Sequence, residues 1–531
     1  MKKINIFSIG LLATALAMTS CKDSFLEYEP QTKGDVNEYF STEEHINEGL
    51  TAAYTPLHVY DYDGDMFGQL NWSDMLGDDM LVGAASMTDQ EVWHNAADFK
   101  LTSDLTLTNF WRDSYDGIRA CNEVISFVKS NEDKLSADFA KKVIAEAAVL
   151  RAFYYTVVWK WYGNIPYFNE PLTASATVEQ STPTDAYEKI IADLQVAIDA
   201  NVLPMRAASG QEGHATQATA YMIYAELVMY QNDESRFAQA LSYMNAIINS
   251  NQYNINTPFA TVWSPDGEWC DESIFEINYT DGPLCVRAYP EAGDAARTAL
   301  YQIGGTFQCQ AIGPDGGVSS DPDVANNGWG TFVPRRSCLD LYAANDERRD
   351  VTLLDGEPGN PNARIQNQNL FMNKYLPRYS HVAGGTGGAD QCRWNDNFRI
   401  YRYAETLLNA AELIVRTGGD AALAKSYITQ VRKRAGLVSE VEPTLDNILT
   451  ERRKEFLGEG KRYWDLVRME DVPGVSQKAS LLLKAELEPV NEKGDRGRQN
   501  SWKPSKKYIP ISSKEISSAQ GTLKQNDAYF N

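Results

Sequence analysis

The sequence has few cysteines and histidines, no recognisable catalytic signature and no long apolar run beyond its first residues. Its 7 cysteines form no C-x-x-C pair, which argues against a zinc knuckle or a thiol redox motif. It contains no G-x-S-x-G, H-E-x-x-H, phosphate-loop or dinucleotide-binding pattern, so none of those enzyme classes is indicated. No run reaches the roughly 20 apolar residues that a membrane-spanning helix needs. We therefore expect neither a membrane-spanning segment nor an enzyme.

Positive charge is also scarce. The chain has 49 Lys and Arg against 72 Asp and Glu, a formal net charge of −23. A charge of this sign repels phosphate backbones and, more weakly, acidic polysaccharides. We expect no nucleic-acid partner.

The N-terminus has the pattern of a secretory signal. Lys2 and Lys3 precede the apolar run Ile4–Met18, and two small residues then lead to Cys21. A cysteine at this position resembles the bacterial lipoprotein signal, in which the thiol is acylated. We predict a signal peptide over 1–20 and a lipid anchor on Cys21. The alternative is an ordinary cysteine near a plain cleavage site.

The remaining cysteines leave two possibilities open. They are Cys121, Cys270, Cys285, Cys309, Cys338 and Cys392. Export permits disulfides, for which the cluster from Cys270 to Cys392 is the candidate region, whereas buried free thiols are the alternative.

Hydrophobic periodicity predicts a mainly α protein. Apolar residues recur at spacings of three and four over 137–162, and Gly163 and Pro166 end that helix. The same pattern predicts helices near 185–200, 216–231, 235–250, 398–417 and 420–435. Paired helices of this length are typical of tetratricopeptide-like repeats, although a non-repetitive helical domain would look similar. We expect one body over 21–531, with a helical scaffold in 21–250 and 398–470 and a loop-rich, ligand-binding insert in 251–397.

Several segments match one family in order along the chain. They are Phe110-Trp111, Leu150–Phe168, Arg402–Glu412, Val431–Leu437, Glu451–Arg468, Tyr508–Ile511 and Leu523–Asn526. Together they resemble the SusD/RagB family of outer-membrane nutrient-binding lipoproteins. The resemblance implies a helical body with four tetratricopeptide-like hairpins at the cell surface. It also implies a glycan ligand, a SusC-like TonB-dependent transporter as partner, and no catalysis.

Other readings of the function stay open. A peptide or another nutrient could replace the glycan, as in a RagB-like protein, and a glycoside hydrolase is the least favoured reading. We expect no cofactor, and the sequence leaves a structural calcium ion open.

The charged segment Glu451–Arg468 is expected to be scaffold. Its acids and bases stand three and four residues apart, which favours ion pairs within a helix. Buried Arg and Glu at the joints between hairpins would instead lock one hairpin against the next through bidentate bonds.

Candidate ligand residues are aromatic and polar side chains in aperiodic segments. By position alone, the family resemblance assigns part of a glycan site to the loop before Phe110-Trp111, which contains Trp72, Asp78, Trp93 and Asn95. The alternative for Trp93 is that it packs this loop onto the helices.

The insert supplies a second set of candidates. Trp269, Trp329 and Trp394 lie among glycine and asparagine residues, and loops on a rigid scaffold are where binding residues concentrate. Trp329, in an Asn-Asn-Gly-Trp-Gly context, is expected to be the most exposed of the three.

Overall fold

The computed structural model describes residues 36–59, 69–89, 91–173, 176–279, 312–314, 319–325, 328–356, 365–366, 369–381, 394–477 and 501–529. The signal peptide and Cys21 lie outside these ranges, as do Cys285, Cys309 and Cys392. Helices dominate the described residues, as predicted. None of the helices in these ranges combines the length and hydrophobicity that crossing a membrane requires.

Most helices lie in the first and last parts of the described residues. In the N-terminal half they are α1 (Val36–Tyr39), α2 (Glu43–Val59), α3 (Gln69–Leu76), α4 (Glu91–Ala97), α5 (Asn109–Ser130), α6 (Ala137–Tyr162), α7 (Pro183–Ala200), α8 (Gln217–Gln231), α9 (Phe237–Asn249) and α10 (Phe259–Val262). In the C-terminal half they are α11 (Arg348–Thr352), α12 (Tyr403–Thr417), α13 (Ala421–Arg434), α14 (Leu445–Phe456), α15 (Arg462–Arg468) and α16 (Ser513–Ser518). The helices predicted over 137–162, 185–200, 216–231, 235–250 and 420–435 are confirmed to within a few residues.

Short antiparallel strand pairs connect the described segments, and two of the pairs join segments more than a hundred residues apart in sequence. The strands are β1 (Met80–Val82), β2 (Ile165–Pro166), β3 (Gln180–Ser181), β4 (Ser273–Ile277), β5 (Phe332–Pro334), β6 (Leu353–Asp355), β7 (Leu370–Met372) and β8 (Phe398–Arg402). They pair as β1–β5, β2–β3, β4–β8 and β6–β7. The segment 251–397 is therefore attached to the helical part through β1–β5 and β4–β8.

The predicted helix 398–417 is wrong over its first five residues. Residues 398–402 form β8, and the helix begins only at Tyr403. Phe398 pairs with Ile277 and Arg402 with Ser273 of β4. A partner strand from another part of the chain overrides local helical preference, and sequence periodicity cannot reveal that partner.

Local sequence fixes where the helices begin and end. The Thr182 side chain accepts a hydrogen bond from the Asp185 amide at the start of α7, and Pro183 occupies its first turn. Thr216 and Thr219 form a reciprocal capping box on α8. These caps satisfy amide groups that the first helical turn leaves without partners.

Consecutive helices pack side by side around one hydrophobic core. α6 lies between α5 and α7, α8 packs on α7 and α9, and α12 packs on α9 and α13. Trp159, Trp161, Tyr154 and Tyr155 of α6 are each at most 1% exposed. α6 is thus the central helix of the first half, which explains its continuous apolar surface.

The charged C-terminal segment pairs between elements far more than within its own helix. Glu459 accepts hydrogen bonds from Arg402 at 2.7 and 2.9 Å and from Lys374 at 2.6 Å. Glu455 accepts from Arg348 and from Arg402, each at 3.1 Å. We call the buried set Glu272, Arg348, Lys374, Arg402, Arg434, Glu455 and Glu459 the charge lattice.

This arrangement corrects the expectation of intrahelical pairs and agrees with the alternative of interlocked hairpins. Arg468 is an intermediate case, because it bonds Asp465 three residues earlier and also Glu412 of α12.

The described cysteines are free thiols. Cys121 and Cys338 are buried, and Cys270 is half-buried. Burial raises the pKa of Cys338, whose thiol donates to the Asp79 carbonyl oxygen at 3.3 Å. For Cys121 and Cys338 the buried-thiol alternative is correct, and neither Cys270 nor Cys338 forms a disulfide in this structure.

Candidate binding groove

Two of the predicted site residues are buried. The Trp93 ring is 0% exposed and lies 5.1 Å from the Phe332 ring of β5. Asp78 is 6% exposed and accepts hydrogen bonds from Arg462 at 2.7 and 2.9 Å. A packed ring and a bidentate ion pair offer little to a ligand, so burial argues against the predicted ligand contacts and favours the packing alternative for Trp93.

Other predicted residues near β1 and β5 keep some exposure. Trp329 is half-buried just before β5, so it is not the open platform that its glycine-rich context suggests. Asn95 is half-buried, and its amide donates to the Glu91 carbonyl oxygen at 2.9 Å within α4. Trp72 lies in α3, and its side chain is outside the described part. Ligand contact by these residues stays a prediction.

The two predicted tryptophans beside β4 and β8 differ from each other. Trp394 is 0% exposed, with its ring centroid 6.5 Å from that of Tyr379, and it belongs to the core. Trp269 is half-buried and lines a surface cavity. Of the predicted tryptophans whose side chains are described, Trp269 therefore has the position that best suits a ligand.

Two neighbouring cavities open next to Trp269. One has a volume of about 160 Å³ and the other of about 200 Å³. Both are lined by Glu212 and His214, so they adjoin. The first also contacts Tyr54, Gly213, Glu276 and Asn278, and the second Arg206, Ser209, Thr216, Tyr253 and Trp269. We call the joined cavities the groove.

The Trp269 ring is held in place by its neighbours. Its indole Nε1 donates to Asn278 Oδ1 at 2.8 Å, and its backbone amide donates to Glu276 Oε1 at 3.2 Å. Its φ of +52° is unusual for a bulky residue and costs free energy, which the surrounding bonds must offset. A ring fixed in this way loses little conformational entropy when a ligand stacks on it.

The loop that carries His214 lies directly against β4. Gly213 has φ +98°, and a side chain there would come within 2.7 Å of Asn278 Nδ2. Only glycine combines this backbone conformation with so close an approach. The loop is thereby positioned over the strand, and His214 is directed into the groove.

A polar network beneath Trp269 fixes the amide and carboxylate groups. The Asn397 side-chain amide donates to Glu276 Oε2 at 3.0 Å and to Asn278 Oδ1 at 3.1 Å. The Asn397 backbone amide donates to Glu268 Oε1 at 2.9 Å. Burial raises the pKa of Glu268 to about 7.

His214 is held by a buried carboxylate. Its Nδ1 lies 2.6 Å from Glu146 Oε1, and the same oxygen accepts from the Tyr54 hydroxyl at 2.6 Å. The hydrogen bond to Glu146 raises the pKa of His214, although burial opposes the shift. Burial and the Glu146 charge raise the pKa of Tyr54 well above its usual value. At neutral pH this set therefore offers an imidazole beside a neutral phenol.

The groove combines an aromatic face with carboxylate, amide, hydroxyl and imidazole groups. Such a mixture suits a polar ring-shaped ligand, because the apolar ring face can stack while the hydroxyl groups form hydrogen bonds. Within the described ranges, no cluster of His, Cys, Asp or Glu has the arrangement of a metal site. The sequence leaves a structural calcium ion open, and the described residues do not indicate where it would bind.

Sequence reasoning missed most of the groove. Tyr54, Glu212, His214 and Asn278 were not predicted, because they come from a helix, a loop and a strand end that only the fold brings together. One signal was present: the glycine- and serine-containing stretch 207–213 separates two strongly predicted helices, and such loops often carry function.

Two family models together match almost the whole chain. Residues 210–529 match the model described as SusD family, and residues 24–229 match the model described as starch-binding and associating with the outer membrane. The SusD-like protein P2 of Formosa agariphila is 26% identical over 501 residues, covering 88% of this chain and 91% of that protein.

Solved structures resemble it more closely still. Surface glycan-binding protein A from Bacteroides uniformis is 38% identical with a TM-score of 0.80, over 92% of this chain and 100% of that one. The same-named protein from Bacteroides thetaiotaomicron, in complex with laminarihexaose, is 39% identical with a TM-score of 0.79, over 91% and 99%. Family models spanning both halves, a matching fold and identities near 40% lead to one conclusion: this chain belongs to the SusD family.

Proposed function

We propose that this protein captures an oligosaccharide at the outer surface of the outer membrane and delivers it to a SusC-like TonB-dependent transporter. The observation that carries the proposal is the groove, where the fixed Trp269 ring stands beside the polar groups of Glu212, His214 and Asn278. The 39% identical relative with laminarihexaose bound supports a glucan as the first ligand to test.

The charge of the protein favours a neutral glycan. A net charge of −23 disfavours acidic polysaccharides, whereas a glucan carries no charge to repel. A stacked aromatic ring contributes on the order of 1 kcal/mol, and a few hydrogen bonds to hydroxyl groups add similar amounts. Affinities between roughly micromolar and millimolar would follow, which suits a protein that must release its cargo.

Binding without hydrolysis is the second part of the proposal. A glycosidase needs two carboxyl groups facing the scissile bond, one of them free to act as an acid. In the groove, Glu276 is 1% exposed and both its oxygens accept hydrogen bonds from Trp269 and Asn397. Among the described residues that line the groove, Glu212 therefore has no second carboxyl group available for acid–base catalysis.

The third part concerns the anchor. An acylated Cys21 would hold the protein on the membrane without a spanning helix, in keeping with the description of the family matched by residues 24–229. Radiolabelled palmitate added to cells should enter the wild-type protein and not a Cys21→Ala variant. Equal labelling of both would contradict the anchor.

Calorimetric titration tests the ligand. We expect laminarihexaose to bind, and a charged oligosaccharide and a peptide panel to give no heat. Trp269→Asn removes the ring but suits the left-handed backbone, so it should weaken binding about tenfold and leave the fold intact. Tyr221→Ala, which removes a half-buried ring stacked on Tyr243, is the matched control and should bind as the wild type does.

Each alternative has its own outcome in the same assays. Peptide binding without glycan binding would replace the proposal with the RagB-like reading. Release of reducing sugar by the purified protein would replace it with the hydrolase reading.

A further inference from the structure

We propose that His214 is a specificity-determining residue of the groove: in its protonated form it donates a hydrogen bond from Nε2 to an oxygen of the bound glycan, so that affinity decreases as the pH rises. This inference rests on the proposed function and adds a residue, a hydrogen-bond direction and a pH dependence to it.

The hydrogen bonds around Glu146 determine which nitrogen of His214 carries the proton. The Ala215 backbone amide donates to the Tyr54 hydroxyl oxygen at 2.7 Å, and the hydroxyl in turn donates to Glu146 Oε1 at 2.6 Å. A carboxylate only accepts, so the His214 nitrogen 2.6 Å from the same oxygen must be Nδ1–H. Nδ1–H therefore donates to Glu146 whether the ring is neutral or charged.

Nε2 is the atom left for a ligand. The His214 side chain is 41% exposed and lines both cavities of the groove. Across the described ranges, Nδ1 is the ring nitrogen that has a protein partner. With Nδ1–H fixed, Nε2 accepts a hydrogen bond when the ring is neutral and donates one when the ring is charged.

The surrounding charges favour the protonated ring. Glu146 of α6 contacts it directly, and Glu212 of its own loop and Glu276 of β4 line the same cavity. Lys142 of α6 acts in the opposite direction. Arg206, which lines the second cavity with His214, is a further cation but is paired with Asp271 at 2.9 Å. Tyr54, the titratable group of α2 that faces the ring, is neutral. Among these described residues, the carboxylates outnumber the cations, in agreement with the raised pKa of His214.

A charged donor distinguishes this groove from one that has only neutral groups. Hydrogen bonds from a cation are about twice as strong as neutral ones. The ligand oxygen must also lie where Nε2 points, which selects among glycans by the position of their hydroxyl groups. A glycan without an acceptor at that position gains nothing from protonation.

Titration with laminarihexaose between pH 5.5 and 8.5 tests the inference. The wild-type affinity should fall about tenfold across this range. His214→Gln keeps a side chain of similar reach without a titrating charge, so its affinity should not change with pH. His45→Gln is the matched control, because His45 of α2 also bonds through Nδ1, to the Tyr39 carbonyl oxygen at the end of α1, and it should retain the wild-type profile.

Glu268 needs separate treatment because its pKa of about 7 lies in the same range. Glu268→Gln should retain the pH dependence if His214 is responsible. A pH dependence that persists in His214→Gln and vanishes in Glu268→Gln would overturn the inference.

A second measurement needs no variant. The pKa of His214, followed by NMR of the imidazole, should rise by about one unit when laminarihexaose binds, since a tenfold affinity difference between the two charge states requires that shift. Wild-type affinity that is equal at both ends of the pH range would overturn the inference and leave the proposed function standing. Absence of binding at every pH would overturn both.

Discussion

The groove and the charge lattice use the same residue types in opposite ways. In the lattice, Glu455 is 0% exposed and accepts hydrogen bonds from Arg348 and Arg402 at 3.1 Å, and from Arg434. In the groove, Glu212 is half-buried and, among the described residues, accepts one hydrogen bond, from the Gly210 amide at 2.6 Å. A carboxylate whose lone pairs are filled by the chain stabilises the fold, whereas one with spare acceptors can serve a ligand.

The tryptophans repeat this contrast. Trp93 is fully buried against β5 and contributes to packing, while Trp269 is half-buried at the edge of a cavity with its ring fixed by Asn278. Residue type therefore does not distinguish scaffold from site in this protein. Scaffold and site residues differ instead in how much of each side chain is left without neighbours or hydrogen-bond partners.

The largest effect should come from breaking the lattice. Burial alone would raise the pKa of Glu455, but the guanidinium groups of Arg434, Arg402 and Arg348 hold it well below its usual range. Glu455→Gln leaves these cations short of a counter-charge in the core and should lower the free energy of unfolding by about 3–5 kcal/mol. Urea denaturation measures this. Glycan affinity of the folded fraction should not change, and a parallel loss of affinity would show that lattice and groove are coupled.

Acid should weaken a buried ion-pair cluster of the same kind. Burial opposes ionisation of Asp465, but Arg452 and Arg468 lower its pKa to about 2. Because the folded pKa lies below the unfolded one, Asp465 stabilises the fold above about pH 4, and this contribution is lost as the pH falls towards 2. The difference in unfolding free energy between wild type and Asp465→Asn should be about 2 kcal/mol at pH 6 and shrink at low pH. A difference that is constant with pH would contradict this assignment.

A smaller effect, on affinity and not on stability, is expected in the groove. Glu212→Gln removes a charged acceptor that lines both cavities, so laminarihexaose affinity should fall about fivefold, or about 1 kcal/mol. The unfolding free energy should stay the same, since the carboxylate bonds one loop amide. Calorimetry and urea denaturation on the same preparation separate the two. A lower unfolding free energy with unchanged affinity would show that Glu212 stabilises the fold and does not bind the glycan.

The smallest effect is expected from an exposed ion pair. Arg119 and Glu123 of α5 lie 3.0 Å apart, with side chains 58% and 40% exposed. Water screens such a pair, so Glu123→Gln should change the unfolding free energy by less than about 0.5 kcal/mol and leave glycan affinity unchanged. A change comparable to that of Glu455→Gln would refute the distinction between buried and exposed charge.

The sequence predicted most of the helical scaffold because its signals are local. Apolar spacing along α6, with Gly163 after its last residue, determined that helix to the residue. The same reasoning failed at β8, because a strand needs a partner, and β4 is more than a hundred residues away in the chain. It also misjudged the charged segment, whose spacing suits intrahelical pairs but whose partners come from other elements.

The site was less predictable. Of the predicted residues with described side chains, Trp269 lines the groove, whereas Trp93, Asp78 and Trp394 are buried. Both sets of tryptophans look alike in sequence, as aromatic residues in aperiodic segments. Burial depends on what packs above each ring, and that information is distributed over the whole chain.

The sequence by itself determined the helical body, its acidic charge and the likeness to one family, since periodicity, composition and ordered motifs are properties of the linear chain. Only the tertiary structure decided which carboxylates, aromatic rings and imidazoles are fully packed or hydrogen-bonded and which can still contact a ligand. Tyr54, His214 and Asn278 come together because α2, a glycine-directed loop and the end of β4 meet at one surface. The physical reason is that free hydrogen-bonding capacity depends on neighbours in space, and neighbours in space are not neighbours in sequence.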